Sequence, residues 1–213
     1  MILAVLSIIA AYLLGSINFA VIFTKSFKNE DIREHGSGNA GTTNVMRVGG
    51  FLPGILTFVF DALKGFVACM AGKLAFSYAF GGSEAWWALP LSGAYFCGVA
   101  CIVGHIFPVF FKFHGGKGVA TCVGIFAVCC PIAIAIGLAV FAVVTVLSRY
   151  VSLASLTATV VVITLATVLR SDDTNVAVQV ICCLIMAALI FYKHMSNIKR
   201  LIAGKENRVG KKN

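Results

Sequence analysis

Long apolar runs divided by short polar ones set the pattern of this chain. Residues 1–24 carry no charge, and Lys25 and Lys28 follow at once. The next run starts near Phe51, admits Asp61, Lys64 and Lys73, and ends near the turn-like FGGSE at 80–84. Further runs cover Trp86–Phe111, Val119–Leu147, Val151–Leu169 and Val176–Tyr192. Most have the length of a helix crossing a hydrocarbon core of roughly 30 Å, for which about 20 apolar residues suffice. Residues 119–147 do not fit, because as one straight helix they would measure about 44 Å. Pro131 and Gly137 offer a break. One tilted crossing would deliver Arg149 to the face opposite the stretch HGGKG at 114–118. Two short helices turning near Pro131 would return it to the same face.

Charge decides between these readings. With the hairpin, Lys25, Lys28, Arg33, Arg47, Lys112, Lys117, Arg149 and the tail cations Lys193, Lys199, Arg200, Lys205, Arg208, Lys211 and Lys212 share one face. The single crossing would strand the basic tail outside, against the positive-inside tendency. The expected architecture is an all-α integral membrane protein, one polytopic unit over residues 1–213. It has seven transmembrane helices, the fourth and fifth short, with the N-terminus outside and the C-terminus cytoplasmic.

Composition removes the soluble alternatives: 60% of residues are hydrophobic and the mean hydropathy is +0.97. The net charge of +9 suits an anionic leaflet or an anionic substrate. Eight cysteines all lie in apolar sequence without a Cys-x-x-Cys pair, which marks them as small core residues. No metal constellation is visible, so neither a metal nor a cofactor is expected.

The candidate chemistry sits in the polar interruptions. In FKFHGGKGVAT (111–121), glycines expose backbone N–H groups, a helix begins near Val119, and Lys117 adds a full charge. That combination suits phosphate, and it equally suits an ordinary cytoplasmic turn. Gly118 stands where a nucleotide P-loop needs Ser or Thr, which excludes that motif. GSGNAGTTNVMR (36–47) gathers Ser37, Asn39, Thr42, Thr43 and Asn44 beside three glycines, and Arg47 offers a fork for phosphate or carboxylate. Asp61 and Lys64, three apart on a helix at membrane depth, are expected to neutralise each other or to meet substrate. His105 lies inside an apolar span. His194 and Asn197 share a helical face at the cytoplasmic mouth, as a reactive pair or as a polar helix end.

In order, GSGNAGTTNVMR, DALKG, GHIFPVFFKFHGGKGVAT, RYVSLAS and HMSNIKRLIAGKE resemble the PlsY family of acyl-phosphate:glycerol-3-phosphate acyltransferases over nearly the whole chain. The resemblance implies a multi-pass enzyme of the bacterial inner (plasma) membrane with a cytoplasmic active site. It would move a fatty acyl group from acyl phosphate to the 1-hydroxyl of sn-glycerol 3-phosphate, the first acylation step of phospholipid synthesis. Carried over residue by residue, it puts Arg47, Lys117, Ser155 and the Gly115–Gly118 backbone at the glycerol 3-phosphate phosphate. Ser37, His194 and Asn197 would orient the hydroxyl or the carbonyl. Lys117, Ser37, His194 and Asn197 are then the catalytic set. Asn39, Thr43, Asn44, Arg47, Gly115, Gly116, Gly118, Ser152 and Ser155 bind substrate, with Asp61, Lys64 and His105 in support. The implied partners are glycerol 3-phosphate, acyl phosphate, membrane lipids and a soluble enzyme that makes acyl phosphate, but no nucleic acid. No cysteine or Ser-His-Asp arrangement suited to a nucleophile is visible, so direct attack without an acyl-enzyme is expected. A phosphate-ester transporter and a lipid-binding scaffold remain as rival classes, the first requiring a midplane site and an inverted repeat.

Overall fold

The structure, a computed structural model, describes residues 1–81, 85, 87–169 and 174–210. Trp86, part of FGGSE, and the tail lysines Lys211 and Lys212 lie outside the described residues. Among the described residues there are ten α-helices and no strand. Six segments are long and apolar enough to cross a membrane: Ile2–Lys28, Phe51–Phe80, Pro90–Phe111, Pro131–Ser148, Val151–Val168 and Val176–Lys193. A shorter apolar helix, Val119–Cys129, makes a seventh hydrophobic element.

The first span is broken. Helix α1 (Ile2–Gly15) stops where Ser16 turns its hydroxyl back to the Tyr12 carbonyl at 2.9 Å, and α2 (Phe19–Lys28) starts under the Asn18 side chain, which accepts from the Val21 N–H. The expected loop after Lys25 also carries more order than its composition predicts. A short 3₁₀ turn (Ile32–Glu34) and α3 (Thr42–Val48) fold over a small core of Ala20, Val21, Ile32, Ala40 and Val45. Helix α4 (Phe51–Phe80) follows, and α5 (Pro90–Ile106) starts on Pro90, whose missing N–H would have no helical partner there anyway.

The long fourth run breaks at Pro131, as the hairpin reading expected, but not symmetrically. Helix α6 (Val119–Cys129) has 11 residues and α7 (Pro131–Ser148) has 18, as many as α8 (Val151–Val168) and α9 (Val176–Lys193). Only the fourth element is therefore short; the fifth, also expected to be short, is full length. At about 1.5 Å per residue α6 extends only about 16 Å, roughly half the hydrocarbon core. Proline forces the residue before it out of the helical region, and Cys130 sits at φ −157°, ψ 79°.

Helix α7 returns to the face that α6 left. The Arg149 carbonyl at its end accepts from Val209 N–H at 2.8 Å, and the Ser152 hydroxyl donates to Glu206 at 3.1 Å. Glu206 is bonded in turn to Asn197 of α10 (Met195–Ile202), the partner of Lys117. At the opposite end, the Ser92 and Thr174 hydroxyls meet at 3.2 Å. The hairpin reading of 119–147 is thus the observed one, and the polar segments converge at one end of the bundle.

Lipid tails offer no hydrophobic drive between helices, so association depends on close packing. Paired glycines supply it. A Cβ on Gly124 would lie 1.8 Å from the Ala62 carbonyl oxygen, and one on Gly65 would lie 2.3 Å from that of Thr121, which locks α4 to α6. Gly15 and Gly104 make the same reciprocal contact between α1 and α5.

The topology is checked by labelling. Tyr78, 86% exposed, and Lys205 mark opposite ends of the bundle, and all eight native cysteines are buried. In right-side-out vesicles an impermeant maleimide should modify Tyr78→Cys directly and Lys205→Cys only after the membrane is opened. Labelling of both from one side would break the arrangement.

Candidate functional site

The site forms where three polar segments meet. The glycine turn at 115–118 is seated on the end of α5: the Gly116 N–H donates to the His105 carbonyl at 3.2 Å, and a Cβ on Gly115 would lie 2.0 Å from that oxygen. The same turn is wedged against the first polar loop, since a Cβ on Gly116 would lie 2.5 Å from the Ala40 carbonyl oxygen. Gly118 takes φ +86°, a left-handed conformation that costs glycine little, and from it α6 begins. The first-turn N–H groups of α6 have no acceptor in their own helix. They point toward the side from which Lys117 arrives.

Asn44 holds the first loop. It is buried, and its amide donates to the carbonyls of Ile32, His35 and Asn39 while its oxygen accepts from the Ser37 N–H at 2.9 Å. Every hydrogen bond it makes is to loop backbone, so Asn44, expected among the substrate-binding residues, organises the loop that presents the others. Ser37, Thr43 and Arg47 are exposed, and none of their side chains makes a hydrogen bond or ion pair among the described residues. Asn39 is half-buried against Gly41. Arg33 fastens this loop to the neighbouring one by donating to the Phe111 carbonyl at 3.1 Å while paired with Asp31 at 2.7 Å.

The second half is a hydrogen-bonded chain. Lys117 Nζ donates to the Asn197 amide oxygen, and the Asn197 amide nitrogen donates to Glu206 at 2.8 Å. Glu206 also accepts from the Ser152 hydroxyl at 3.1 Å and from Arg200 Nε at 2.7 Å. Its carboxylate thereby fixes the direction of the Asn197 amide and leaves the oxygen for Lys117. Two of these residues, Glu206 and Arg200, carry no role in the sequence reading. The signal was present: Glu206 is the single acidic residue in a tail of seven cations. Ser155 is buried, donates to its own helix at the Val151 carbonyl, and lines a cleft rather than joining the chain.

His194 ends α9, nine-tenths buried or more, with Nδ1 at 2.9 Å from the Ile190 carbonyl. A carbonyl only accepts, so Nδ1 carries the proton and Nε2 keeps its lone pair. Burial, helped by the charge of Lys117, pushes this imidazole down to about 4, which leaves it neutral near pH 7. Burial also pushes Lys117 down to about 8, with Glu206 opposing and Arg200 and Lys193 adding to the shift.

Beside these groups an apolar cleft runs between α6, α7 and α8. Val119 and Ser155 mark its end nearest the polar segments, and Phe126, Ile134 and Val162 lie deeper. Seven residues of α8 separate Ser155 from Val162, a depth of about 10 Å.

Three comparisons bear on this arrangement. The sequence profile of the family described as "Glycerol-3-phosphate acyltransferase" matches residues 5–204. A glycerol-3-phosphate acyltransferase of Thermoanaerobacter pseudethanolicus is 44% identical over 209 residues, covering 98% of this chain and 97% of the relative. One of Halalkalibacterium halodurans is 38% identical over 213 residues, covering 97% and 96%. The crystal structure of PlsY (YgiH), an integral membrane glycerol 3-phosphate acyltransferase, in its glycerol 3-phosphate form superposes with a TM-score of 0.81 at 38% identity, covering 97% of this chain and 96% of that one. Its lysophosphatidic acid form gives 0.79 at 37% identity, covering 97% and 95%.

The Lys117 shift predicts a pH profile. The ammonium is the charged form, and lowering its ionisation to about 8 means the charge is present below that pH and lost above it. Binding of inorganic phosphate to the free protein should weaken through pH 8 to 9, by up to about tenfold per pH unit. Lys117→Arg, which does not titrate in this range, should give a flat profile. Calorimetric titration showing a flat wild-type profile to pH 9.5 would remove Lys117 from the anion site.

Proposed function

Because the chain belongs to the glycerol-3-phosphate acyltransferase family, we propose that it transfers a fatty acyl group from acyl phosphate to the 1-hydroxyl of sn-glycerol 3-phosphate, releasing lysophosphatidic acid and phosphate. The observation that carries this reading is the adjacency of two unlike environments. A polar cluster of Lys117, Asn197, Ser152 and Arg200, gathered on the Glu206 carboxylate, lies at one end of the bundle, and an apolar cleft opens beside it at Val119 and Ser155. An acyl phosphate needs both, and glycerol 3-phosphate needs the first. In this reading the cluster faces the cytoplasm, the side favoured by the cations, and the membrane is the bacterial inner membrane.

Acyl phosphate is a mixed anhydride with a good leaving group, so positioning and charge stabilisation are sufficient catalysis. The glycerol 3-phosphate hydroxyl attacks the carbonyl carbon, an ester C–O bond forms, and the C–O bond to phosphate breaks. The proton goes to the departing phosphate or to Nε2 of His194, whose lone pair is available near neutral pH. Lys117 holds phosphate charge through the step, Arg47 supplies a second cation from the first loop, and Ser37 and Asn197 orient the reacting groups. The cleft between α6, α7 and α8 receives the acyl chain. A soluble enzyme supplying acyl phosphate completes the scheme.

Purified protein in detergent should release phosphate and form lysophosphatidic acid when given acyl phosphate with glycerol 3-phosphate, with chelator present, and should not use an acyl thioester. A thioester donor of equal efficiency, or a covalent acyl-Ser37 formed with donor alone, would overturn the mechanism. Lys117→Met should lower kcat/KM by about a hundredfold or more at unchanged melting temperature, because a desolvated phosphate loses its nearest charge. Wild-type turnover in that variant would take the glycine turn out of the active site.

A further inference from the structure

Beneath the glycine turn lies a buried group of charges that the reaction above does not use. Asp61 Oδ1 is 2.7 Å from Lys64 Nζ and 3.5 Å from His105 Nδ1, with all three side chains at most 6% exposed. Lys64 also donates to the Ile17 carbonyl at 2.8 Å, in the break between α1 and α2, and lies over the Phe19 ring. Burying a carboxylate costs several kcal/mol unless it is paired, and Lys64 already pairs it. A second partner is not needed for charge balance, so the placement of His105 calls for another reason.

The other edge of the imidazole supplies one. A Cβ on Gly116 would lie 2.3 Å from His105 Nε2, and the carbonyl of the same histidine accepts from the Gly116 N–H at 3.2 Å. The ring is thus the floor on which Gly116 rests, one residue before Lys117. Ala40 of the first loop closes the turn from the other side. The carboxylate meets one edge of the ring at 3.5 Å, as a charge contact and not a hydrogen bond, while Gly116 packs on the other edge, so the ring cannot turn or sink without disturbing one of the two.

We propose that Asp61 and His105 are positioning residues for phosphate binding: the carboxylate sets the imidazole, the imidazole seats the Gly115–Gly118 turn, and the turn sets the reach of Lys117. This rests on the assignment of Lys117 to the glycerol 3-phosphate phosphate. Neither residue touches substrate, so the expected effect is on binding rather than on the chemical step.

The test is steady-state kinetics of the purified protein at saturating acyl phosphate, with gel filtration and melting temperature reporting the fold. His105→Ala should raise KM for glycerol 3-phosphate about tenfold, leave kcat within about threefold, and leave KM for acyl phosphate unchanged. His105→Asn, whose amide nitrogen takes the place of Nδ1 toward Asp61, should recover part of the loss. Gly116→Ala leaves both buried residues intact and drives a methyl group into Nε2, so it should raise the same KM. Should His105→Ala not fold, the Asn variant and Gly116→Ala decide on the same readout. An unchanged KM for glycerol 3-phosphate in the variants that fold, or a fall in kcat alone, overturns the proposal. A wild-type protein that does not acylate glycerol 3-phosphate overturns the reaction instead.

Discussion

The contact on which most else depends is the ion pair between Asp61 and Lys64, 2.7 Å apart inside α4. Asp61 is ten residues from the start of its helix, about 15 Å along it. Lipid cannot solvate either charge there, and breaking such a pair by removing one partner costs about 3–5 kcal/mol. Its stabilising value against an apolar substitute is small, so its consequence is geometric. Lys64 must reach the Ile17 carbonyl, which is free only because the first span is broken at Ser16–Asn18. Asp61 meets His105 on α5. Three helices are thereby tied at one level, beneath the glycine turn.

From that level upward, the glycine turn is fixed by close backbone contacts and its two flanks by side chains. The glycine turn meets the end of α5 and the carbonyl of Ala40 at distances that leave no room for a Cβ. Asn44 spends its amide on the first loop, so that Ser37, Thr43 and Arg47 stand out from a rigid support. Rigidity matters because donors placed in advance at a developing charge need no reorganisation during the reaction. On the other flank, the Glu206 carboxylate gathers Ser152, Asn197 and Arg200 and draws the tail back across the corner between α7 and α8.

The shortness of α6 joins these two halves. A full crossing would have carried Pro131 to the far face; stopping after 11 residues, about 16 Å, places the reversal near mid-depth. Gly124 and Gly65 keep α6 tight on α4. The free side of α6, together with α7 and α8, then bounds a cleft that begins at Val119, two residues after Lys117.

By itself the sequence determined whatever follows from solvent and from chain length. Apolar runs too long for a soluble core dictated helices in lipid, and the cations, by favouring a common face, chose a fold-back at Pro131 over one tilted crossing for the 29-residue uncharged stretch. The ordered motifs around Ser37, Lys117, His194 and Asn197 pointed to the family before any geometry was known. Tertiary structure alone decided what depends on contacts between residues distant in the chain. Asn44 and Ser37 look alike as polar loop residues, yet one is buried as a fastener and the other faces out. Glu206 gained its place through partners 9 and 54 residues away. The asymmetry of the break, 11 residues against 18, was already written in the position of Pro131, whereas the pairing of α6 with α4 through Gly124 and Gly65 came only from packing, because hydropathy reports what a segment leaves behind in water and not which neighbour it meets.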